Sequence, residues 1–318
     1  MHFALHPRKG PVVPPYARFS FLIQQHRKQL KAIAILGVAL VAVFLLLSQL
    51  FYTSTGTVAV SRGTPNVVIM TVLDPTLYSE NYLQKIVRNR EDYAERHGYT
   101  NFFANITTYD SYIGYAPRSW GVIPAVRHAM ATYPSTTYFF YLDAHALFMN
   151  PSKSLEAHLL NRYRLEALMR RNVPVVGPDS IIKTFSHLRP EDIDLILTND
   201  AEDLNTGSFV LRQGDFARFL LDTWFDPLYR SYNFDKAETH TLEHVVQWHP
   251  TVLARLALIP QRVINAYSND SSGAAFDGTY KDGDLIIRFF GCDGDPKRDC
   301  ESEMDPYYKL WAMKLKLG

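Results

Sequence analysis

Residues 136–145 read TTYFFYLDAH, and this stretch decides the class of fold. Its middle part, YFFYL, is aromatic and apolar without interruption, as expected of a strand buried on both faces of a parallel sheet. The run ends at Asp143, and His145 follows after one small residue. Residues two apart in an extended segment point to the same side. Because open α/β sheets bind ligands beyond the carboxyl ends of their strands, we predict a site at Asp143 and His145.

Strand-like and helix-like patterns alternate along the rest of the chain. A helix is indicated over residues 79–98, where Ser79 is suited to cap the start and Gly98 to end it. Further helices are predicted at residues 118–134 and 235–250. Strands are predicted at residues 66–73, 99–106, 136–143, 174–180, 194–200, 207–212 and 284–292. This alternation predicts an α/β fold with a mostly parallel, Rossmann-like sheet flanked by helices.

The first 52 residues predict a membrane anchor. Residues 1–31 contain six Lys or Arg and no acidic residue, and residues 32–52 are uncharged. About 20 apolar residues span a bilayer core, whereas a cleaved signal peptide has an apolar region of about 7–15 residues. The positive-inside rule makes residues 1–31 a cytosolic tail and 32–52 a single type II signal anchor. A short stem at 53–65 then precedes a luminal domain at 66–318.

Luminal placement gives meaning to two sequence features. Asn105 and Asn269 each begin an N-glycosylation acceptor pattern. Cys292 and Cys300 are the only cysteines, and in an oxidising compartment such a pair predicts one local disulfide. Zinc binding is the weaker alternative, because no second pair of ligands lies nearby in the sequence.

Charge and histidine spacing argue against two other functions. The chain has 33 basic and 32 acidic side chains and no basic stripe, which excludes nucleic acid as an expected partner. His240 and His244 are spaced to share one face of the predicted helix. The H-E-x-x-H order of zinc proteases is nevertheless absent, so we predict capping or solvent-facing roles for these side chains.

Five blocks of the sequence resemble glycosyltransferase family 34, in order and in spacing. The blocks are residues 119–134, 141–160, 203–229, 242–250 and 283–292. The overall similarity is greatest to fungal Golgi α-1,6-mannosyltransferase subunits of the mannan polymerase complex. The resemblance implies a GT-A fold in the Golgi membrane. It also implies retaining transfer of mannose from GDP-mannose to α-1,6-mannan or an N-glycan outer chain, with other subunits of the complex as partners. Transfer of another sugar such as galactose is an alternative.

The metal ligands of that family are partly replaced in this chain. The family binds Mn²⁺ through an Asp-x-Asp motif, whose first position corresponds to Asp143 and whose second is His145. A further family ligand, a His, corresponds to Arg288. Three hypotheses follow: Arg288 replaces the cation because a guanidinium binds phosphate oxygens directly, Mn²⁺ remains on Asp143 and His145, or the chain is a catalytically silent scaffold.

The resemblance implies roles for several other side chains. Leu73 and Asp74, at the end of the first strand, are expected near the nucleotide. Gly207 is expected at the donor, in the segment 204–208 that lines the sugar sites. Asn205 and Asp203 are implied to be catalytic. Asp203 and Asp200 are both expected near the acceptor hydroxyl groups. The donor-binding set is therefore Leu73, Asp74, Asp143, His145, Gly207 and Arg288.

Overall fold

The computed structural model describes residues 66–177, 180–201 and 203–317, together with residues 31, 35–38 and 41. The chain divides into two units, Met1–Ala59 and Val60–Gly318. In the first unit the six described residues are helical. No helix in the described part of the chain has the length and apolar character needed to cross a membrane. Most of the predicted anchor (32–52) and all of the predicted stem (53–65) lie outside the described residues, so both stay predictions.

A six-stranded sheet and a three-stranded sheet form the framework of the second unit. The strands of the described residues are β1 (Val67–Leu73), β2 (Thr100–Asn105), β3 (Tyr138–Leu142), β4 (Ala146–Phe148), β5 (Leu195–Asn199), β6 (Leu204–Arg212), β7 (Leu256–Ile259), β8 (Ala266–Tyr267) and β9 (Ile286–Arg288). The large sheet has the order β2-β1-β3-β6-β5-β7, and the small one has the order β4-β9-β8.

Strand β6 runs antiparallel to both of its neighbours, while the other pairs of the large sheet are parallel. The expectation of a mostly parallel sheet is therefore confirmed, with β6 as the exception. Because β6 runs in the opposite direction, its start lies beside the end of β3. Leu142 pairs with Ser208, and the Asp143 N–H donates to the Gly207 carbonyl at 2.9 Å. This reversal brings residues 204–207 to the site predicted at Asp143.

Helices cover both faces of the large sheet. The α-helices among the described residues of the second unit are α1 (Glu80–His97), α2 (Asp110–Ile113), α3 (Val122–Thr132), α4 (Arg162–Leu168), α5 (Asp215–Trp224), α6 (Pro227–Ser231), α7 (Ala237–Trp248), α8 (Pro250–Leu253) and α9 (Cys300–Leu317). Phe139 and Tyr141 pack in an apolar cluster with α3, α5 and α7. Phe140 and Leu142 pack on the opposite face with α1 and α4, as the alternation of side chains along a strand requires.

Helix α1 has the boundaries that its sequence predicts. The Ser79 side chain accepts a hydrogen bond from the backbone N–H of Tyr82 at 3.0 Å. Gly98 ends the helix with φ at 68°, in the left-handed region that glycine enters without a Cβ penalty. The apolar stripe of α1 packs against α9, where Trp311 is buried with Ile86.

One predicted strand is wrong, and several short elements were not predicted. Residues 174–180 form no strand where the structure describes them, and only an isolated bridge joins Pro174 to Lys183. Prolines at 174 and 178 lack the N–H that a strand interior needs, which accounts for the difference. Strands β4 and β8 have three and two residues, too few to show a period. Helix α9 was also not predicted.

Candidate active site

Helix α1 fixes the turn that follows β3. The four successive carbonyl groups of residues 143–146 each accept a hydrogen bond. Arg90 donates to the first at 3.0 Å and to the fourth at 2.8 Å. The Tyr82 hydroxyl donates to the second at 3.1 Å, and the Phe289 N–H donates to the third at 2.8 Å. Arg90 is fully buried, and this burial lowers its pKa to about 9. With its carbonyl groups satisfied, the turn has a fixed shape that presents Asp143 and His145.

The Asp143 carboxylate is paired on both of its oxygens. Its Oδ2 accepts from Nη2 of Arg288 at 2.7 Å. Its Oδ1 lies 3.1 Å from Nδ1 of His145 and also accepts from the His145 backbone N–H. Burial alone would raise the pKa of Asp143, but Arg288 and His145 outweigh it and hold this pKa far below its usual value. Asp143 is therefore a fixed negative charge.

Arg288 joins Asp143 to strand β6. Its Nη1 donates to Oδ1 of Asn205 at 2.5 Å, and its Nε is buried without a hydrogen-bond partner. Burial lowers the pKa of Arg288, but Asp143, Tyr267 and Tyr141 together outweigh it and raise this pKa, so the guanidinium stays charged. A Cβ at Gly207 would overlap this guanidinium, so glycine leaves the space that Arg288 fills.

A hydrogen-bond network continues from Asn205 to Asp200. Asn205 Nδ2 donates to Oδ2 of Asp200 at 3.1 Å and also to the Tyr267 hydroxyl. The Tyr267 hydroxyl in turn donates to the same Asp200 oxygen at 2.8 Å. Asp200 is thus connected to Arg288 through the Asn205 side chain. A buried network of this kind restricts each of its side chains to one conformation.

Two clefts meet at Arg288. The first cleft is bordered by Asp74, Tyr78, Arg118, Asp143, His145 and Asp293. The second cleft is bordered by Asp200, Asp203, Lys236, Thr239, Ser272 and Gly273. Both share a common wall made of Thr206, Gly207, Glu238, Arg288 and Phe290. The first cleft has a volume of about 340 Å³ and the second about 380 Å³, which lies within the range of small-molecule sites.

Asp74 borders the first cleft, whereas Leu73 borders neither cleft. Asp74 pairs with Arg118 at 3.0 Å and accepts from the Thr76 N–H at 2.9 Å. The Leu73 side chain packs with the apolar cluster of α1 and α9 instead. Successive strand residues point to opposite faces, so Val72 and Asp74 line the cleft and Leu73 cannot.

His145 is engaged at both ring nitrogens. While Nδ1 lies against Asp143, Nε2 is 2.7 Å from the Tyr78 hydroxyl. Burial lowers the pKa of His145, but the Asp143 and Asp293 carboxylates together outweigh it and raise this pKa. The raised pKa favours the protonated imidazole, which carries positive charge beside Arg288 in the first cleft.

The residues present do not fit a divalent cation. Both oxygens of Asp143 and both nitrogens of His145 already have partners, and the Arg288 guanidinium lies where a cation on Asp143 would need space. Among the described residues, one group of three metal-ligating side chains lies within 4.8 Å: His145, Cys292 and Cys300. These two cysteines form a disulfide with Cα atoms 5.0 Å apart, and a disulfide offers no thiolate. The predicted disulfide is thus present, and the zinc alternative is not supported.

The other predicted residues are accounted for as follows. The Asp203 carboxylate borders the second cleft and pairs with Lys236. Asn105 and Asn269 are both exposed, as glycosylation would require. His240 lies 3.8 Å from a Glu243 oxygen, and His244 packs edge-on against Tyr229, so these histidines do not converge on a common ligand.

Several residues of the site escaped the sequence analysis, among them Glu238 and Tyr267. Glu238 borders both clefts, and its Oε2 is buried without a hydrogen-bond partner. Burial raises the pKa of this carboxyl group. In the sequence it is one acid among several in a helical segment, and no pattern separates it from solvent-facing acids. Tyr267 likewise lies in a strand of two residues that carries no signal.

Comparisons with known proteins place the chain in a family. The family model described as galactosyl transferase GMA12/MNN10 matches residues 63–301. An uncharacterized alpha-1,2-galactosyltransferase, C8D2.17 of Schizosaccharomyces pombe, is 35% identical over 243 residues, which are 76% of this chain and 72% of that protein. The probable alpha-1,6-mannosyltransferase MNN11 of Saccharomyces cerevisiae is 30% identical over 273 residues, covering 78% of this chain and 63% of that protein.

Solved structures with a similar backbone include a glycosyltransferase involved in glycosylation of the major capsid of PBCV-1. It is 14% identical, has a TM-score of 0.49, and covers 77% of this chain and 100% of its own. The family assignment rests on the sequence matches alone, which cover most of the chain. The chain belongs to the galactosyl transferase GMA12/MNN10 family of glycosyltransferases.

Proposed function

We propose that the chain is a retaining GT-A glycosyltransferase that transfers mannose from GDP-mannose to α-1,6-mannan or an N-glycan outer chain. We further propose that it acts in the Golgi membrane as a type II protein and as one subunit of a mannan polymerase complex. Support for the sugar comes from relatives such as the probable alpha-1,6-mannosyltransferase MNN11. Because other relatives are named alpha-1,2-galactosyltransferases, galactose is the alternative donor sugar.

The observation that carries the proposal is the position of Arg288 between Asp143 and Asn205, where the two clefts meet. A departing nucleoside diphosphate needs positive charge, and a guanidinium can bind two phosphate oxygens at once. His145 lies in the same cleft as a second cation. We therefore assign the nucleotide to the first cleft, with Arg288 and His145 doing the work that a metal ion does elsewhere.

The reaction breaks the bond between the anomeric carbon of the donor sugar and the oxygen of its diphosphate. A new bond forms between that carbon and an acceptor hydroxyl oxygen on the same face, and the hydroxyl proton leaves with the diphosphate. Arg288 stabilises the developing charge on the leaving group. The acceptor lies in the second cleft, where Asp203 and Asp200 accept from its hydroxyl groups and Asn205 holds Arg288 in place.

One observation favours a second candidate, a silent subunit that stabilises an active partner. Both oxygens of Asp143 are already occupied by side chains of the same chain. Such closed pairing would also serve a scaffold whose site binds nothing. The two candidates differ in whether Arg288 matters for transfer.

The test uses the full-length chain purified in detergent, alone and with its co-purifying subunits. GDP-mannose and UDP-galactose are offered with α-1,6-linked mannose oligosaccharides, and product linkage is read by NMR. We expect mannose transfer, and a fall of about 100-fold or more in kcat for Arg288→Ala. Arg189→Ala, on an exposed loop, is the matched control and keeps full activity.

Two outcomes would contradict the proposal. Transfer of galactose in place of mannose would show that mannose is the wrong donor sugar, although the chain would still be a glycosyltransferase. Undiminished transfer by a complex that carries Arg288→Ala would assign catalysis to a partner and leave this chain as the scaffold.

A further inference from the structure

The common wall of the two clefts contains one aromatic side chain, Phe290. Phe290 is 36% exposed, although the neighbouring Phe289 is fully buried. It borders both clefts. An aromatic ring that is open to both clefts is available to contact a ligand in either of them.

Phe290 rests on a rigid base. Its ring is stacked on that of Tyr267, with centroids 4.8 Å apart and planes 8° apart. Tyr267 is fully buried, and its hydroxyl is held between Asp200 and Asn205. The Arg288 guanidinium carbon lies 5.2 Å from the Phe290 ring centre. The ring is therefore held in one orientation before any ligand arrives, which lowers the entropy cost of binding.

The polar groups around this ring suit a neutral ligand that has many hydroxyl groups. The second cleft and the common wall carry three carboxylates, from Asp200, Asp203 and Glu238, against two cations, Lys236 and Arg288. These groups offer both acceptors and donors of hydrogen bonds. The hydroxyls of Thr206 and Thr239 add groups that both donate and accept. A hexose ring has hydroxyl groups at its edge and C–H bonds on its faces, so one face can lie on an aromatic ring while the edge binds these groups.

We propose that Phe290, backed by Tyr267, is the stacking platform for the acceptor hexose in the second cleft. This inference rests on the proposed transferase function and extends it by naming the residue that selects a sugar ring as acceptor. Because the Arg288 guanidinium lies over the Phe290 ring, a hexose bound on this platform is close to the junction of the two clefts. Phe290 acts on the acceptor, and the donor binds independently of it.

The test compares Phe290→Ala and Phe290→Tyr in the full-length chain, with Phe276→Ala as the control. Phe276 is fully exposed and borders neither cleft. We expect Phe290→Ala to raise the acceptor KM about tenfold, while the donor KM and the acceptor-free hydrolysis of the donor stay within twofold. Phe290→Tyr keeps the aromatic face and restores the acceptor KM to within about threefold of the unaltered chain. An unchanged acceptor KM in Phe290→Ala, or a raised donor KM in its place, would overturn the inference.

A binding measurement separates this inference from the proposed function. Saturation-transfer NMR with α-1,6-mannotriose, and with a galactose disaccharide as the second probe, needs no turnover. We expect saturation of the C–H protons on one ring face of a bound probe, and its loss in Phe290→Ala. If the chain binds the probe in this way but transfers no sugar, the proposed function is contradicted and the stacking role of Phe290 is supported. If the chain transfers sugar, and the probe protons are saturated equally in Phe290→Ala and in the unaltered chain, only the stacking role of Phe290 is contradicted.

Discussion

Arg288 and His145 are two departures from one expected ligand set, and they meet on the same carboxylate. Arg288 binds one oxygen of Asp143 and His145 the other. Arg288 supplies a fixed positive charge, and the raised pKa of His145 favours a second one at the same place. A cation on Asp143 would compete with both. The two substitutions therefore make physical sense as a pair.

Gly207 offers a direct test of where Arg288 lies. A Cβ at this position would overlap the guanidinium, so Gly207→Ala forces Arg288 away from Asn205 and Asp143. We expect kcat to fall about 100-fold, because the leaving group loses its main positive charge. The measurement is steady-state transfer by the purified chain.

Gly294→Ala is the matched control for that variant. A Cβ at Gly294 would come no closer than 3.9 Å to another residue, so activity stays unchanged. Full activity of Gly207→Ala would show that Arg288 is not needed where the structure has it.

The sequence predicts some of the individual residues of the site. Asp143 stands at the end of the most apolar strand, and the family resemblance adds Arg288, which lies 145 positions later. Nothing in the local sequence indicates that Tyr267 lies behind Phe290, because that contact joins a two-residue strand to the residues after another short strand. Side chains that meet only through tertiary packing leave no periodic signal.

Strand β6 decides which side chains reach Asp143. Its apolar pattern was recognised, but its direction cannot be read from a pattern with a period of two residues, which is the same in either direction. Only the antiparallel pairing with β3 places Asn205 and Gly207 at the carboxyl end of that strand. Long elements with caps, such as α1, were predicted almost to the residue because each boundary has a local physical cause.

Helix α7 carries a buried acid with a measurable effect on stability. Burial raises the pKa of Glu243 to about 7, and Lys236 opposes this only in part. A carboxyl pKa that is higher in the folded state favours folding at low pH. This contribution to the free energy of unfolding is present below the unfolded value of about 4.3 and is lost as the pH rises to about 7.

We expect Glu243→Gln to remove that part of the pH dependence. The difference in unfolding free energy between this variant and the unaltered chain should change between pH 4.5 and 7, measured by urea denaturation, with the variant gaining relative stability as the pH rises. Glu91→Gln, at an exposed position on α1, serves as the control. A constant difference across this range would show that Glu243 ionises normally.

The luminal orientation of the domain at 66–318 is predicted from the charge and hydropathy of the first 52 residues. The pattern at 32–52 is long and uncharged, which is why a membrane anchor could be predicted without a fold. Both glycosylation patterns lie at exposed positions of the described part.

We expect full-length chain expressed in a fungal secretory host to carry N-glycans at Asn105 and Asn269. Asn105→Gln and Asn269→Gln should each remove one step from the gel shift produced by glycosidase treatment. Ser152→Ala changes the pattern at Asn150, which a proline excludes from glycosylation, and should leave the shift unaltered. A chain without any glycan would contradict the luminal orientation.

The central claim is that this family member uses Arg288 and His145 where its relatives are expected to use a metal ion. A double variant, His145→Asp with Arg288→His, restores the expected ligand set and serves as the positive control, because its activity should then require Mn²⁺. The decisive measurement is the rate of sugar transfer by the unaltered full-length chain in EDTA. We predict a rate within twofold of that without chelator. A rate that collapses in EDTA and returns with added Mn²⁺ would contradict the account.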